Sequence, residues 1–153
     1  MKTISNFLIV GLFLILNTSC LKSGLDELET YDLNDITNVR FEYRWWDESA
    51  EQLRVMDMLV EKTIDTTTKE INCTIVVPES TTVFTDEIRS EVSLSTLAIN
   101  VDISTAARVA PVGNAPAMGV FPSDFSAKEF TYTVTAGNGD EVDWIIRIAD
   151  FSK

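Results

Sequence analysis

Two adjacent indoles and two groups of carboxylates are the side chains in this sequence whose types and spacing could do chemistry. Trp45-Trp46 runs directly into Asp47-Glu48, with Glu51 close behind, and Asp140-Glu141 with Asp143 forms a second acidic group. An exposed indole offers a flat apolar face on which a sugar ring can stack, and convergent carboxylates can ligate calcium or act as the acid and base of glycoside hydrolysis. Spacing argues against both carboxylate readings. Calcium requires roughly six to eight converging oxygens, neither group has EF-hand spacing, and nothing nearby in sequence would raise a carboxyl pKa. A solvated loop and a hairpin tip account for the two groups. The sequence has no histidine, which removes Ser-His-Asp and Cys-His catalysis and His-ligated zinc. No residue is therefore assigned a catalytic or metal-binding role, and no cofactor is implied.

The tryptophan pair depends on the element that carries it. In Val39-Arg40-Phe41-Glu42-Tyr43-Arg44-Trp45-Trp46 apolar and polar residues alternate, the signature of a half-buried strand. Alternation puts Trp45 with Val39, Phe41 and Tyr43 on the core face, and Trp46 with Arg40, Glu42 and Arg44 on the other. Trp46, Arg44 and Glu42 are thus the candidate ligand-binding residues. Trp46 either stands bare as a stacking surface or is covered by the preceding tether or the loop that follows.

Thr, Val and Ile supply 44 of the 153 residues, a composition that favours strands. Lys69 to Val77 is a second strand, ended by Pro78, with Ile71, Cys73, Ile75 and Val77 on one face. Cys73 is there a small buried hydrophobe. Phe130, Tyr132, Val134 and Ala136, then Gly137-Asn138-Gly139-Asp140, then Val142, Trp144, Ile146 and Ile148 make an antiparallel hairpin with Trp144 in the core. Residues 49–62 fit two patterns. Ser49 and Gln52 resemble a capping box ahead of a Leu53, Met56, Val60 helical stripe, but a strand over Leu53–Lys62, paired with Lys69–Val77 through a polar turn, is favoured. A strand from about Leu97 to Ile103 leads into a proline-rich stretch, Ser104 to Lys128, part of which packs as an edge strand. Within it, the apolar loop Ala110–Pro122 is either a docking surface or, through Val120 and Phe121, the closure of one end of the fold.

Charge narrows the partners. Twelve Lys and Arg against 24 Asp and Glu give −12, with no basic cluster, so phosphate-rich nucleic acid is a poor partner.

The N-terminus is an address. Residues 1–20 carry Lys2 ahead of an uncharged apolar stretch from Phe7 to Leu16, long enough for a signal-peptide h-region and short of the ~20 residues that span a bilayer. Thr18-Ser19-Cys20 resembles a bacterial lipobox, although Asn17 stands where an aliphatic residue is usual. The resemblance implies cleavage before Cys20, acylation of that cysteine and attachment to a membrane through its lipid. A Cys20–Cys73 disulfide is the alternative, and it would require an unlipidated Cys20. Residues 21–35 carry Asp26, Glu27, Glu29, Asp32 and Asp35 against Lys22 and are read as a solvated acidic tether. An acidic segment after the lipidated cysteine also resembles the sorting signal of Bacteroidota lipoproteins bound for the cell surface.

The order of elements resembles the small immunoglobulin-like domains of Bacteroidota surface lipoproteins. The residues that carry it are Ile71-Asn72-Cys73-Thr74-Ile75-Val76-Val77-Pro78, Asp124-Phe125-Ser126, Tyr132-Thr133-Val134-Thr135-Ala136, Gly139 and Trp144-Ile145-Ile146-Arg147-Ile148. The expected organisation is a lipoprotein signal peptide over 1–19, a lipidated Cys20 and acidic tether over 20–35, and an all-β, antiparallel two-layer immunoglobulin-like sandwich over 36–150. The expected function is a non-catalytic, surface-exposed outer-membrane lipoprotein that binds a polysaccharide or another envelope protein. An accessory subunit of a surface complex or fimbria is the alternative, and a glycoside-active enzyme is the remote one.

Overall fold

A computed structural model describes residues 31–153; the signal segment, Cys20 and the tether up to residue 30 lie outside the described residues. Eight strands and one short helix follow in the order β1 (Ile36–Asp47), β2 (Gln52–Asp57), β3 (Leu59–Asp65), β4 (Glu70–Val76), α1 (Asp86–Glu91), β5 (Ala98–Ile103), β6 (Arg108–Pro111), β7 (Glu129–Thr135) and β8 (Glu141–Ser152). One sheet has the order β2-β1-β5 and the other β3-β4-β8-β7-β6. This is the expected all-β sandwich. One pair departs from antiparallel order: β4 runs parallel to β8. Parallel neighbours need a long crossover, and the whole chain from Val77 to Asp140 supplies it.

Alternation sends one face of each strand into the space between the sheets. Val39, Phe41 and Tyr43 of β1, Ile71, Cys73 and Ile75 of β4, Tyr132 and Val134 of β7, and Trp144 and Ile146 of β8 are all buried there. Each large side chain so removed from water contributes about 1.5–3 kcal/mol. Phe125 closes the middle, edge-on to both Phe41 and Phe130 with ring centroids at 5.3 Å. Val120, expected to help close an end, is instead 50% exposed. Phe121 does pack, edge-on to Tyr43 at 5.6 Å. Part of the proline-rich stretch forms β6, the edge strand beside β7.

The expected strand over Leu53–Lys62 is two strands in two sheets. Its first half pairs with β1 and its second with β4, and the chain changes layers at Met58, whose amide donates to the Phe41 carbonyl at 2.8 Å. The phase of alternation never breaks, so Met56, Met58, Val60 and Ile64 all pack on the core from one run of chain. The helical alternative gives way to two strands: Met56 and Val60, four residues apart, also share a face at a period of two, and Leu53, out of that phase, is exposed.

Residues 31–35, which sequence alone assigns to the tether, are docked on the domain. The Tyr31 carbonyl accepts from the Asn138 amide at 3.0 Å, and the Asn34 carbonyl accepts from Trp144 Nε1 at 2.9 Å. Lys69 Nζ pairs with Asp35 at 2.7 Å and lies 5.2 Å over the Trp144 ring. All of these partners lie at the end where β1 begins, beside the β7–β8 turn. In that turn Gly139 has φ +96°, a backbone conformation L side chains rarely adopt.

Candidate functional site

The opposite end of the sandwich, where β1 stops, carries a cleft of about 650 Å³ whose lining includes Trp45, Trp46, Asp47, Arg54, Thr85 and Glu91. Three pieces of chain build it. Consecutive strand positions send Trp45 inward and Trp46 outward, and the turn after Asp47 brings both to the rim. The Trp45 ring stacks on Tyr43 at 6.2 Å with 20° between planes, and tilts onto Phe84 at 5.6 Å. Packing on both sides fixes its orientation.

The β1–β2 turn is organised by one carboxylate. Asp47 Oδ1 accepts from the Ser49 hydroxyl at 2.6 Å and from the Ser49 and Ala50 amides at 3.0 and 3.1 Å, while Oδ2 accepts from Arg54 Nε at 3.1 Å. The Ser49 hydroxyl, with Arg54 and the two amides, holds the Asp47 carboxyl below its usual range. The far wall is α1. Thr85 caps it, its hydroxyl accepting from the Ile88 amide, and Asp86 and Glu87 occupy the first turn. Glu91 accepts from the Tyr43 hydroxyl at 3.1 Å, and burial, aided by that carboxylate, raises the Tyr43 pKa.

Of the three candidate ligand residues, Trp46 alone reaches the cleft, and its 55% exposure makes it the bare indole rather than the covered one. Arg44 and Glu42 share its face of β1 but are engaged elsewhere. They form an ion pair with Arg44 Nε donating to Glu42 at 2.7 Å, and Arg44 also donates to the Gly119 carbonyl at 3.0 Å. That pair fastens the proline-rich loop to the outer face of the sheet. Trp45 and Trp144 are where alternation puts them: Trp144 is fully buried and Trp45 half-buried against the core.

Sequence reasoning missed Phe84 and Glu91, which lie far along the chain from Trp46 in a stretch without strand alternation, and Arg54, because its strand was expected to pair with Lys69–Val77 and pairs instead with β1, opposite Trp45. The one local signal was Thr85-Asp86-Glu87, a cap followed by acids, the pattern of a helix N-terminus.

The second acidic group sits at the β7–β8 hairpin tip, where Asp143 accepts from Thr133 at 2.6 Å and Asp140 from Asn138 at 2.7 Å. Among the described residues no group of three Cys, Asp or Glu could hold a metal ion. Cys73 is buried and has no disulfide partner among the described residues, and burial pushes its thiol up to about 11 against the weaker pull of Lys62. Among the described residues no helix is long and apolar enough to cross a membrane.

The comparisons with known proteins agree with the fold. The model of a family described as DUF5018-related matches residues 36–147. A crystal structure of a protein from Bacteroides fragilis, described as a "putative secreted protein", aligns with a TM-score of 0.70 and 28% sequence identity, over 81% of this chain and 99% of that one. No curated protein matches.

Proposed function

The chain belongs to the DUF5018-related family, and on that premise we propose that it is a non-catalytic extracellular binding module, anchored in the outer membrane through a lipid on Cys20, that engages a polysaccharide in the cleft beside Trp46. The secreted description of the B. fragilis relative supports an address beyond the cytoplasm, as do the export-type segment and the small residues before Cys20. We assign the signal peptide to 1–19, the lipidated cysteine and tether to the residues from 20 up to the docked segment 31–35, and the sandwich to the strands from Ile36 to Ser152.

One observation carries the binding reading: Trp46 is more than half exposed at the rim of a cleft at the far end of β1 from the docked N-terminal segment. At about 3.3 Å per residue, the 12 residues of β1 separate the two ends by roughly 36 Å. The cleft is therefore at the end of the sandwich farther from the point where the tether enters. The non-catalytic reading rests on the carboxylate whose environment is defined best. Asp47 has both carboxylate oxygens taken up by four donors of its own turn and strand, so it is engaged in structure rather than free to act as the acid, base or nucleophile of glycoside hydrolysis.

Two experiments test this. Affinity electrophoresis of the full chain through polysaccharide-containing gels should retard the parent and not Trp46→Ala. Labelling cells with an alkyne fatty acid should mark the parent and not Cys20→Ala. Parent and variant migrating alike, or no label on the parent, would remove the corresponding half of the proposal.

A second reading has its own observation. β2 pairs with β1 on one side, and among the described residues its other edge is open, beside an outer face that exposes Leu53 at 58% and Val55 at 50%; a partner strand can add to that edge in an accessory-subunit role. Stable co-purification with an envelope protein, abolished by Val55→Pro and insensitive to Trp46→Ala, is its expected mark.

A further inference from the structure

We infer that the cleft takes an uncharged polysaccharide and discriminates against uronate-bearing or sulfated ones. The inference rests on the binding reading above and adds the chemical class of the ligand. Its ground is the charge of the lining. The cleft carries three carboxylates, Asp47, Glu48 and Glu91, and one cation, Arg54. Arg54 is already engaged by Asp47 at 3.1 Å, so that pair presents little net charge to a ligand. Glu48 and Glu91 are left, both on exposed residues, and Glu91's one protein partner is the neutral Tyr43 hydroxyl.

Among the described residues, other cations of the neighbouring elements are engaged away from the lining, Arg44 by Glu42 and the Gly119 carbonyl. Arg89 of α1 donates to the Pro78 carbonyl and Lys153 to the Ser90 carbonyl, each at 2.8 Å, and neither lines the cleft. Anion recognition uses forked guanidinium or ammonium donors free to reach the ligand, and the one guanidinium of this lining, Arg54, has its Nε and its charge committed to Asp47. The chain as a whole, at −12, adds repulsion at longer range. An uncharged sugar meets a different surface. Its apolar face stacks on the Trp46 indole, while its hydroxyls donate to Glu48 and Glu91. A ligand anion about 6 Å from one carboxylate in water binds roughly threefold less well at low salt, and two carboxylates give about tenfold. Salt shortens the reach of that repulsion.

The test uses the full chain and two sets of probes in affinity electrophoresis, at low and at physiological salt. The neutral set is mixed-linkage β-glucan, galactomannan and xylan; the anionic set is polygalacturonate and chondroitin sulfate. Expected is retardation by at least one neutral polymer, lost in Trp46→Ala. Anionic polymers should bind at least about tenfold more weakly at low salt, with the gap narrowing as salt rises and in the double variant Glu48→Gln/Glu91→Gln. Both glutamines keep a hydrogen-bonding oxygen, so Tyr43 retains its partner. Anionic polymers binding as well as neutral ones, with both lost in Trp46→Ala, would overturn the inference and leave the binding reading standing. No retardation by any polymer, or retardation unaffected by Trp46→Ala, would overturn the binding reading and the inference with it.

Discussion

Trp46 pairs directly across the sheet with Leu53, and both side chains are more than half exposed, at 55% and 58%. An apolar cross-strand pair normally lies on a buried face, where such contacts stabilise the sheet. Here the pair lies on the outer face and merges with Val55, two residues along the same side of β2. It forms a small apolar platform beside a cleft whose lining mixes apolar residues, Trp45, Val83 and Ile88 among them, with polar ones. The sandwich core gains nothing from an indole placed there, whereas the proposed ligand contact would use it.

Phe125 anchors the proline-rich stretch to the core, and Val120, five residues earlier, does not. Phe125→Ala should cost about 3–5 kcal/mol in denaturant unfolding, because a fully buried ring between Phe41 and Phe130 leaves a cavity. Val120→Ala should stay within about 0.5 kcal/mol of the parent. Equal effects would show that the loop is held by something else.

Cys73 should be inert in the folded chain. Its thiol ionises near 11 against an ordinary 9.0, so little reactive thiolate forms at pH 8. Alkylation by iodoacetamide should be slow until denaturant is added and then fast. The linkage sign follows: the folded pKa lies above the unfolded value, so this contribution to stability is full below pH 9.0 and is lost as pH rises through about 11. Rapid alkylation under native conditions would contradict the packing of β4.

Asp47 ties the β1–β2 turn together as a carboxylate. Its folded pKa lies below the ordinary 3.8, so its contribution is present above that value and is lost as pH falls through the lower folded one. The Tm difference between the parent and Asp47→Ala should be full at neutral pH and close progressively below pH 3.8. A difference independent of pH would mean that the charge of Asp47 does not hold the turn.

Trp144 Nε1 is the hydrogen-bond donor that the sequence pattern, reading this residue only as core, leaves without a partner. Trp144→Phe keeps an aromatic ring but orphans the Asn34 carbonyl and removes the indole beneath Lys69. The expected loss is about 1–3 kcal/mol, with faster proteolysis N-terminal to β1. Unchanged protease sensitivity there would show that residues 31–35 are held without this bond.

Much of this architecture was legible because strand alternation is a strong signal. It placed Trp45 and Trp46 on opposite faces, put Trp144 and Cys73 inside, and found the β7–β8 hairpin. The parallel β4–β8 pair was not legible, because period-2 patterning says which face is buried and nothing about which strand lies alongside. The change of layers at Met58 was invisible for a related reason: the inward phase runs on from Met56 to Ile64, and both sheets bury the same side of that run. The cleft was half legible. Trp46 could be singled out from its own strand, whereas Glu91 becomes its neighbour only through tertiary folding and Arg54 only through a β1–β2 pairing that the pattern did not indicate. Arg44 and Glu42 were reasonable candidates by face, but an ion pair and a carbonyl contact already occupy them.

The central claim is that Trp46 is where a glycan sits. Tryptophan-selective oxidation of the full chain by N-bromosuccinimide, read by peptide mass spectrometry, measures this directly. In the free protein Trp46 should oxidise fastest, Trp45 more slowly and Trp144 least. A saturating neutral polysaccharide that retards the chain should protect Trp46 at least about fivefold, in line with burial of its exposed face on binding. Oxidation of Trp46 that is unchanged by such a polysaccharide would contradict the account.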